Sequence, residues 1–380
     1  MKKVLFVIES LGLGGAEKSL VTLLNNLDYA QLTVDLMLVK PDGIFVKYVP
    51  ENVSILEIPP IRITIFERIL YKLYRMFNFK KLHHAHLFWK VFGNKYAILP
   101  HKYDIAIAYN QGFATYFVEK YTTANIKYAW VNTDYKKAGY KIFFDFPIYS
   151  RFSKIIAVSE EVKCSIEGEL RSINKILNVG VVKDIVDDVI MQKQAKEKIP
   201  QRFTKDVINI VSVGRLATPK AFSLAVKACD KLIKKNIRIN WVIIGEGQER
   251  QNLERLIAQY HLQHVFFLFG ATDNPYPYMN ACDIFVQTSL FEGLGTTLIE
   301  ASCLNKPIVT TNFPSAYAIL EHEKTGLICE MNEDAIARSI ERLINDEDLR
   351  NRLVGNLKKA DRKSGKEATL QQINELLELV

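Results

Sequence analysis

The sequence predicts an α/β protein made of two Rossmann-like, parallel-sheet domains. Three observations predict it. A chain of 380 residues suggests two domains at roughly 100–200 residues each. Short apolar runs alternate with helical patterns in both halves. A polar stretch of mixed charge containing Pro200 separates those halves. The expected division is a first domain over 1–185, a linker over 186–206 and a second domain over 207–355. A C-terminal helix over 356–380 is expected to pack back towards the first domain.

The elements follow in order. Val4–Ile8 is an unbroken apolar run between Lys3 and Glu9 and reads as a buried strand. Ala16–Leu27 reads as a helix, and Thr33–Val39 as a strand stopped by Pro41-Asp42-Gly43. Asp104–Ala108, Tyr128–Val131 and Lys154–Val158 are short strands. Ser159 caps the helix after the last of them, with Glu160 and Glu161 in its first turn. The second half restarts with the strand Val207–Val213, a helix near Phe222–Lys235, the strand Ile239–Ile244 and a helix near Glu249–Tyr260. Strands Val265–Leu268 and Asp283–Thr288, a helix near Thr297–Leu304 and the strand Pro307–Thr310 follow. From about Glu333 the chain reads as charged helix.

Composition narrows the function. With 48% apolar and 24% charged residues the chain is neither disordered nor fibrous. Cys164, Cys229, Cys282, Cys303 and Cys329 are odd in number and form no C-x-x-C pair. That argues against a disulfide framework and a structural zinc site. The first apolar run is too short for a signal peptide, and no run is long enough to span a bilayer, so a cytoplasmic location is expected. The net charge of +8 is matched by residues 62–102 alone. There Arg62, Arg68, Lys72, Arg75, Lys80, Lys81, Lys90, Lys95 and Lys102 face the single acid Glu67. Phe66, Ile69, Leu70, Leu73 and Phe77 recur at helical spacing, with Arg68, Lys72 and Arg75 on the other side. Two readings stay open: a helix pair packed on its own domain with a solvated basic face, or a landing surface for an anionic membrane. No nucleic-acid motif appears, and no nucleic-acid partner is expected. His83, His84 and His86 have no carboxylate or cysteine near them in sequence and read as surface histidines.

Two glycine-rich loops carry the chemistry. Gly12-Leu13-Gly14-Gly15-Ala16-Glu17 joins the first strand to a helix, where backbone N–H groups can approach a phosphate. Glu17 stands where a dinucleotide fingerprint needs its third glycine, and Lys40 where it needs a ribose-binding acid. In the second half a strand ends in Gly214-Arg215-Leu216, with Lys220 at the next helix start, a pair suited to clamp a diphosphate. Further on comes Phe291-Glu292-Gly293-Leu294-Gly295-Thr296-Thr297-Leu298-Ile299-Glu300. Helix-start N–H groups near Thr296 and Thr297 suit phosphate. Glu300, one turn in, can accept two hydrogen bonds from a ribose diol.

Glu292 and Glu300, with seven residues between them around that loop, resemble the E-x7-E motif of retaining GT-B glycosyltransferases. The likeness is to family 4, in its bacterial capsule and lipopolysaccharide branch. Gly14-Gly15-Ala16-Glu17, Ile155-Ile156-Ala157-Val158-Ser159, Gly214-Arg215-Leu216 with Lys220, and Asn274-Pro275-Tyr276-Pro277-Tyr278 support it. So do Asp283-Ile284-Phe285-Val286, Lys306-Pro307-Ile308-Val309 and Thr325-Gly326-Leu327-Ile328.

The resemblance implies two domains facing across a cleft and transfer of a sugar, with retention, from a nucleotide-sugar, UDP-sugars being favoured by family prevalence. The acceptor it implies is a lipid-linked saccharide in surface polysaccharide synthesis, with the protein peripheral at the inner face of the plasma membrane. It implies Glu292, Arg215 and Lys220 as the reacting-end residues. For donor binding it implies Gly14, Gly15, Asn132, Gly214, Gly293, Leu294, Gly295, Thr296, Thr297 and Glu300. No cofactor and no metal are expected, since the sole D-x-D, Asp346-Glu347-Asp348, reads as a helix N-cap. Two positions depart from the pattern. Asn132 stands where members often have His, and it cannot take a proton at neutral pH. Ala221 stands where a glycine usually follows the clamp lysine, a mild change at a helix start. A non-catalytic nucleotide-sugar-binding partner subunit and a same-fold epimerase are the competing readings.

Overall fold

The computed structural model describes residues 1–79, 82–197, 203, 206–360 and 363–379. They form two units, one of residues 1–12, 16–185 and 368–380, the other of 13–15 and 186–367.

In the first unit the order is β1 (Lys2–Ile8), α1 (Gly15–Leu24), β2 (Leu32–Leu38), β3 (Val53–Glu57), α2 (Ile65–Met76), α3 (His84–Phe92) and β4 (Lys102–Ala108). Then come α4 (Phe113–Tyr121), β5 (Thr123–Val131), α5 (Ile142–Tyr149), β6 (Lys154–Ala157), α6 (Glu160–Ser172) and β7 (Val179–Val181). The seven strands are parallel in the order β3-β2-β1-β4-β5-β6-β7. Val4 to Ile8 are buried, as an unbroken apolar run requires when helices cover both sheet faces. The strand order reverses at β1, leaving a switch point between β1 and β4 where α/β sheets characteristically take ligands. Ser159 caps α6 as expected, its hydroxyl accepting from the Val162 N–H at 3.2 Å.

Several features differ from the sequence reading. Edge strands β3 and β7 were not expected, because one is half polar and the other has three residues. The polar start of β5 is held by pairing with β4 from Thr123 onward, not by its own pattern. Aromatic-rich α4 has weak intrinsic helix preference and forms through burial of seven of its nine residues.

The second unit contains α7 (Asp188–Gln194), β8 (Ile208–Val213), α8 (Phe222–Lys234), β9 (Ile239–Ile244), α9 (Arg250–Gln259), β10 (Phe266–Gly270) and α10 (Tyr276–Ala281). It continues with β11 (Ile284–Gln287), α11 (Thr296–Cys303), β12 (Ile308–Thr311), α12 (Ala316–Ile319), β13 (Leu327–Cys329), α13 (Glu333–Asn345) and α14 (Glu347–Lys358). A last helix, α15, spans Lys363–Leu376, and its residues from 368 onward belong to the first unit. Six parallel strands run β10-β9-β8-β11-β12-β13, so this switch point lies between β8 and β11. Pleating sends Ile210, Ile284 and Val286 to the core face under α8 and α13. Val211, Phe285 and Ile308 go to the opposite face with α11. The buried Trp241 indole donates to Ser212 Oγ at 3.1 Å, and that hydroxyl donates to the Val286 carbonyl at 2.6 Å. This ties together the strands that flank the switch point.

Candidate active site

At the carboxyl end of β8 the chain turns through Gly214, Arg215 and Leu216. Leu216 is buried, while Arg215 is exposed. The turn is held from behind: the Gly214 N–H donates to the Ile244 carbonyl at 3.0 Å, and the Leu216 N–H to the Glu246 carbonyl at 2.9 Å. Such close backbone approach demands Gly245 and Gly247. A Cβ on Gly245 would lie 1.9 Å from the Gly214 oxygen, and one on Gly247 2.3 Å from the Leu216 oxygen. Sequence reasoning did not reach these two, although a G-x-G directly after an apolar strand was a usable signal.

Residues Thr218–Lys220 then form a single 3-10 turn that ends at Ala221 with φ 46° and ψ 42°. The expectation that alanine is harmless here is overturned. The position is not an ordinary helix start but a left-handed one, costly for any residue with a Cβ. The turn is pinned to the far side of the switch point. The Leu290 N–H donates to the Pro219 carbonyl at 2.8 Å, and Thr288 Oγ1 donates to the Lys220 carbonyl at 2.8 Å.

These constraints bring Lys220 to Glu292, with Nζ to Oε1 at 2.6 Å. Both side chains are mostly buried, 19% and 14% exposed. The lysine stem runs over Gly214, where an added Cβ would stand 3.0 Å from Lys220 Cε. Glu292 Oε1 also accepts from Ser289 Oγ at 2.5 Å and Gln287 Nε2 at 2.9 Å. Sequence reasoning named neither donor. Gly293 and Leu294 are buried beneath the loop, and Gly295, at φ 80°, caps α11 in the left-handed conformation that glycine takes most readily. Thr296 and Thr297 open α11, so its positive end points to this loop. Glu300 is buried, and its Oε1 accepts from the Tyr276 hydroxyl at 3.1 Å. Burial, then the Glu300 charge, pushes that hydroxyl far above its usual range.

The structure thus brings Gly214, Lys220, Glu292 and the start of α11 to one switch point, with Arg215 on the same turn. No group of three or more His, Cys, Asp or Glu suited to a metal occurs among the described residues. Asp346 is the N-cap of α14, accepting from the Leu349 N–H at 2.8 Å.

Gly14 lies between β1 and α1, and Gly15 opens α1, beyond the carboxyl end of β1. Asn132 follows β5. Its Nδ2 donates to the Tyr109 carbonyl at 2.6 Å, and its N–H donates to Gln111 Oε1 at 2.9 Å. Its Oδ1 is buried with no hydrogen-bond partner, as is that of Asn110.

The histidines correct another expectation. His86 is no surface residue: its Nε2 lies 2.8 Å from Oδ1 of Asp145, 59 residues away in sequence. Buried Asp145 also accepts from the Tyr116 hydroxyl at 2.8 Å and from that of Tyr135. His83 stacks on Tyr140 at 4.1 Å, and burial, with the neighbouring His84 and His86, pushes it down to about 3. His84 alone of the three is exposed.

The basic segment is only half packed. α3 buries Ala85, Leu87 and Phe92, whereas α2 buries none of its residues. Tyr71 of α2 meets Phe88 and Phe92 of α3. Ile65, Phe66 (73% exposed), Ile69, Leu73 and Met76 remain in solvent, as do Arg68, Lys72 and Arg75. Thr64 and Glu67 form a capping box, and Glu67 pairs with Lys95 at 2.7 Å. That bond, aided by the Thr64 N–H, holds the Glu67 carboxyl down at about 2. Lys80 and Lys81 lie outside the described residues. Among the described residues no helix is long and apolar enough to cross a membrane.

Residues 193–360 match the family model of glycosyl transferases group 1. A Campylobacter jejuni protein, N-acetylgalactosamine-N,N'-diacetylbacillosaminyl-diphospho-undecaprenol 4-alpha-N-acetylgalactosaminyltransferase, is 32% identical over 160 residues, 40% of this chain and 43% of that one. The capsular polysaccharide biosynthesis glycosyltransferase CapM of Staphylococcus aureus is 28% identical over 202 residues, 52% of this chain and 53% of that one. The chain therefore spans about half the length of the curated relatives it matches. Among solved structures, Staphylococcus aureus TarM with UDP aligns at a TM-score of 0.73 and 14% identity, covering 99% of both chains. Anabaena HepE with UDP and glucose aligns at 0.69 and 16%, covering 100% of both. These likenesses show the fold: two Rossmann-like units of the GT-B class.

Proposed function

We propose that the protein is a glycosyltransferase of bacterial surface polysaccharide synthesis. It moves a sugar from a nucleotide-sugar, a UDP-sugar by preference, to a lipid-linked saccharide with retention at the anomeric carbon. The observation that carries this is the Lys220–Glu292 pair held across the β8–β11 switch point at 2.6 Å, beside Arg215 and the positive end of α11. The two relatives above are both named as glycosyltransferases, one of them for an undecaprenol-diphosphate saccharide. Both solved neighbours hold UDP.

The chemistry follows from charge. The bond between the anomeric carbon and the donor diphosphate breaks, leaving its electron pair on the phosphate. Arg215, Lys220 and the first N–H groups of α11 stabilise that charge. The acceptor hydroxyl forms the new bond on the same face and passes its proton to the departing phosphate. Glu292 orients sugar hydroxyls rather than forming a covalent intermediate, and Glu300 takes the ribose. With two cationic side chains serving the diphosphate, no metal is assigned. The apolar and basic surface of α2 suits an anionic bilayer beside a lipid-linked acceptor; peripheral placement at the inner leaflet belongs to the same reading.

Release of UDP from UDP-glucose or UDP-N-acetylglucosamine, with a bacterial membrane extract as acceptor, tests the proposal. Lys220→Ala should lower turnover by about 10²-fold, the usual cost of losing one stabilising group. Near-normal turnover would remove Lys220 from the reaction. Asn132, which cannot accept a proton at neutral pH, favours one other reading, a non-catalytic binding partner. Donor binding without consumption would select it.

A further inference from the structure

We infer that Gln287 is the positioning residue of this site, fixing Glu292 in its working orientation; the inference rests on the glycosyl-transfer reading. Gln287 closes β11 and is 3% exposed. A side-chain amide at that depth is costly unless both of its ends are bonded, and here both are. Nε2 donates to Glu292 Oε1 at 2.9 Å and to Ser289 Oγ at 3.3 Å, while Oε1 accepts from Thr297 Oγ1 at 3.2 Å. The orientation of the amide is fixed by chemistry, because a carboxylate only accepts and the reverse orientation would set two acceptors against each other.

The fold explains why this residue reaches all three. Pleating places Gln287 on the face of Phe285, which packs in one cluster with Leu298 and Ala301 of α11. The amide therefore bridges a rigid strand end, the Glu292 loop and the first turn of α11. Lys220 contributes the only charged donor to Glu292 among these contacts, and a diphosphate competes for it. Gln287 and Ser289 are neutral, so a phosphate does not draw them away. They keep Glu292 aimed without adding a charge of their own.

Two variants test this, read by UDP affinity, UDP-glucose affinity and kcat from about pH 5 to pH 9. Gln287→Met keeps the volume and removes all three bonds. It should bind UDP within about twofold of wild type yet lose about tenfold or more in kcat across the pH range, as a misaimed group does. Gln287→Glu places a second carboxylate beside Glu292, so the pair shares a proton at acid pH and repels when both are charged. It should match Gln287→Met near pH 8 and recover towards wild type below about pH 6, where the shared proton restores a donor. A merely structural amide would give no such rescue. Wild-type kcat in Gln287→Met, or a Gln287→Glu profile parallel to it, overturns the inference. If the wild type transfers no sugar, the reaction reading fails by itself. The inference is then decided by the UDP-glucose to UDP affinity ratio. A fall in Gln287→Met supports Gln287 as the group that aims Glu292, and an unchanged ratio overturns it.

Discussion

Replacing Gly245 by alanine should damage both the stability of the second unit and the candidate site at its β8–β11 switch point. The added Cβ would sit 1.9 Å from the Gly214 carbonyl oxygen, more than an ångström inside ordinary contact, and 2.9 Å from its carbon. Neither atom is the tip of a mobile side chain. The backbone that carries Arg215 must move, and the Gly214 N–H bond to Ile244 goes with it. A φ of 152° adds strain of its own. Overpacking of this kind costs about 3 kcal/mol, which for a unit of this size lowers Tm by about 6–12 °C. Differential scanning calorimetry with and without UDP reads both effects: a lower transition and a smaller ligand-induced rise. Gly355→Ala is the control. It lies within α14 with nothing within 4 Å of its added Cβ, and should raise stability by about 0.5–1 kcal/mol. Wild-type Tm and UDP response in Gly245→Ala would refute the claim that this glycine backs the clamp turn.

Other outcomes follow from the same geometry. Ala221→Gly relieves left-handed strain of about 1–2 kcal/mol against a gain in unfolded-chain freedom of about 0.4–1 kcal/mol; urea denaturation should show a small net stabilisation, and a loss would contradict the strain assignment. Exchanging Arg68, Lys72 and Arg75 for Glu should abolish sedimentation with phosphatidylglycerol vesicles at low salt, while Phe66→Ser and Ile69→Ser should remove the part that survives high salt; unchanged binding in both sets would end the membrane reading. Burial raises the Asp184 carboxyl from 3.8 to about 6, although Ser19 donates to it at 2.6 Å. The folded state therefore holds this proton more tightly than the unfolded chain, and the stability it contributes is present below about pH 4 and is lost as pH rises through about 6. Asp184→Asn should flatten that loss in melts across this range, and an unaltered pH slope would exclude Asp184 as its source. Turnover should also persist in EDTA, since Arg215 and Lys220 supply the positive charge; full loss restored by a divalent cation would overturn that assignment.

Most of the fold was legible because its signals are local. Val4 to Ile8 form a run that only a doubly covered strand explains, and Ser159 and Asp346 announce their helices by capping chemistry. The outline of the candidate site was also readable, since Glu292, Gly295 and Glu300 sit within ten positions. What escaped depends on distant partners. Gln287 looks like a polar stop to an apolar strand until Thr297 and Glu292 flank it. Ala221 is forced left-handed by the pins at Pro219 and Lys220, not by any preference of its own. His86 appears solvent-bound until Asp145 arrives from another helix. For α2, periodicity separates an apolar from a basic face, but only packing shows that neither is covered.

The pairing of Lys220 with Glu292 bears on how ionic strength governs the protein. An ammonium already compensated by a carboxylate takes up phosphate by exchanging one anion for another, with little release of small ions from solution. Any phosphate bound at that lysine would therefore be buffered against salt, whereas the exposed cations of α2 have mobile counterions to shed and respond steeply within the Debye range. On the proposed function, a rise in salt loosens the hold on an anionic bilayer well before it loosens the hold on a nucleotide, so the protein would leave that surface with its donor still bound.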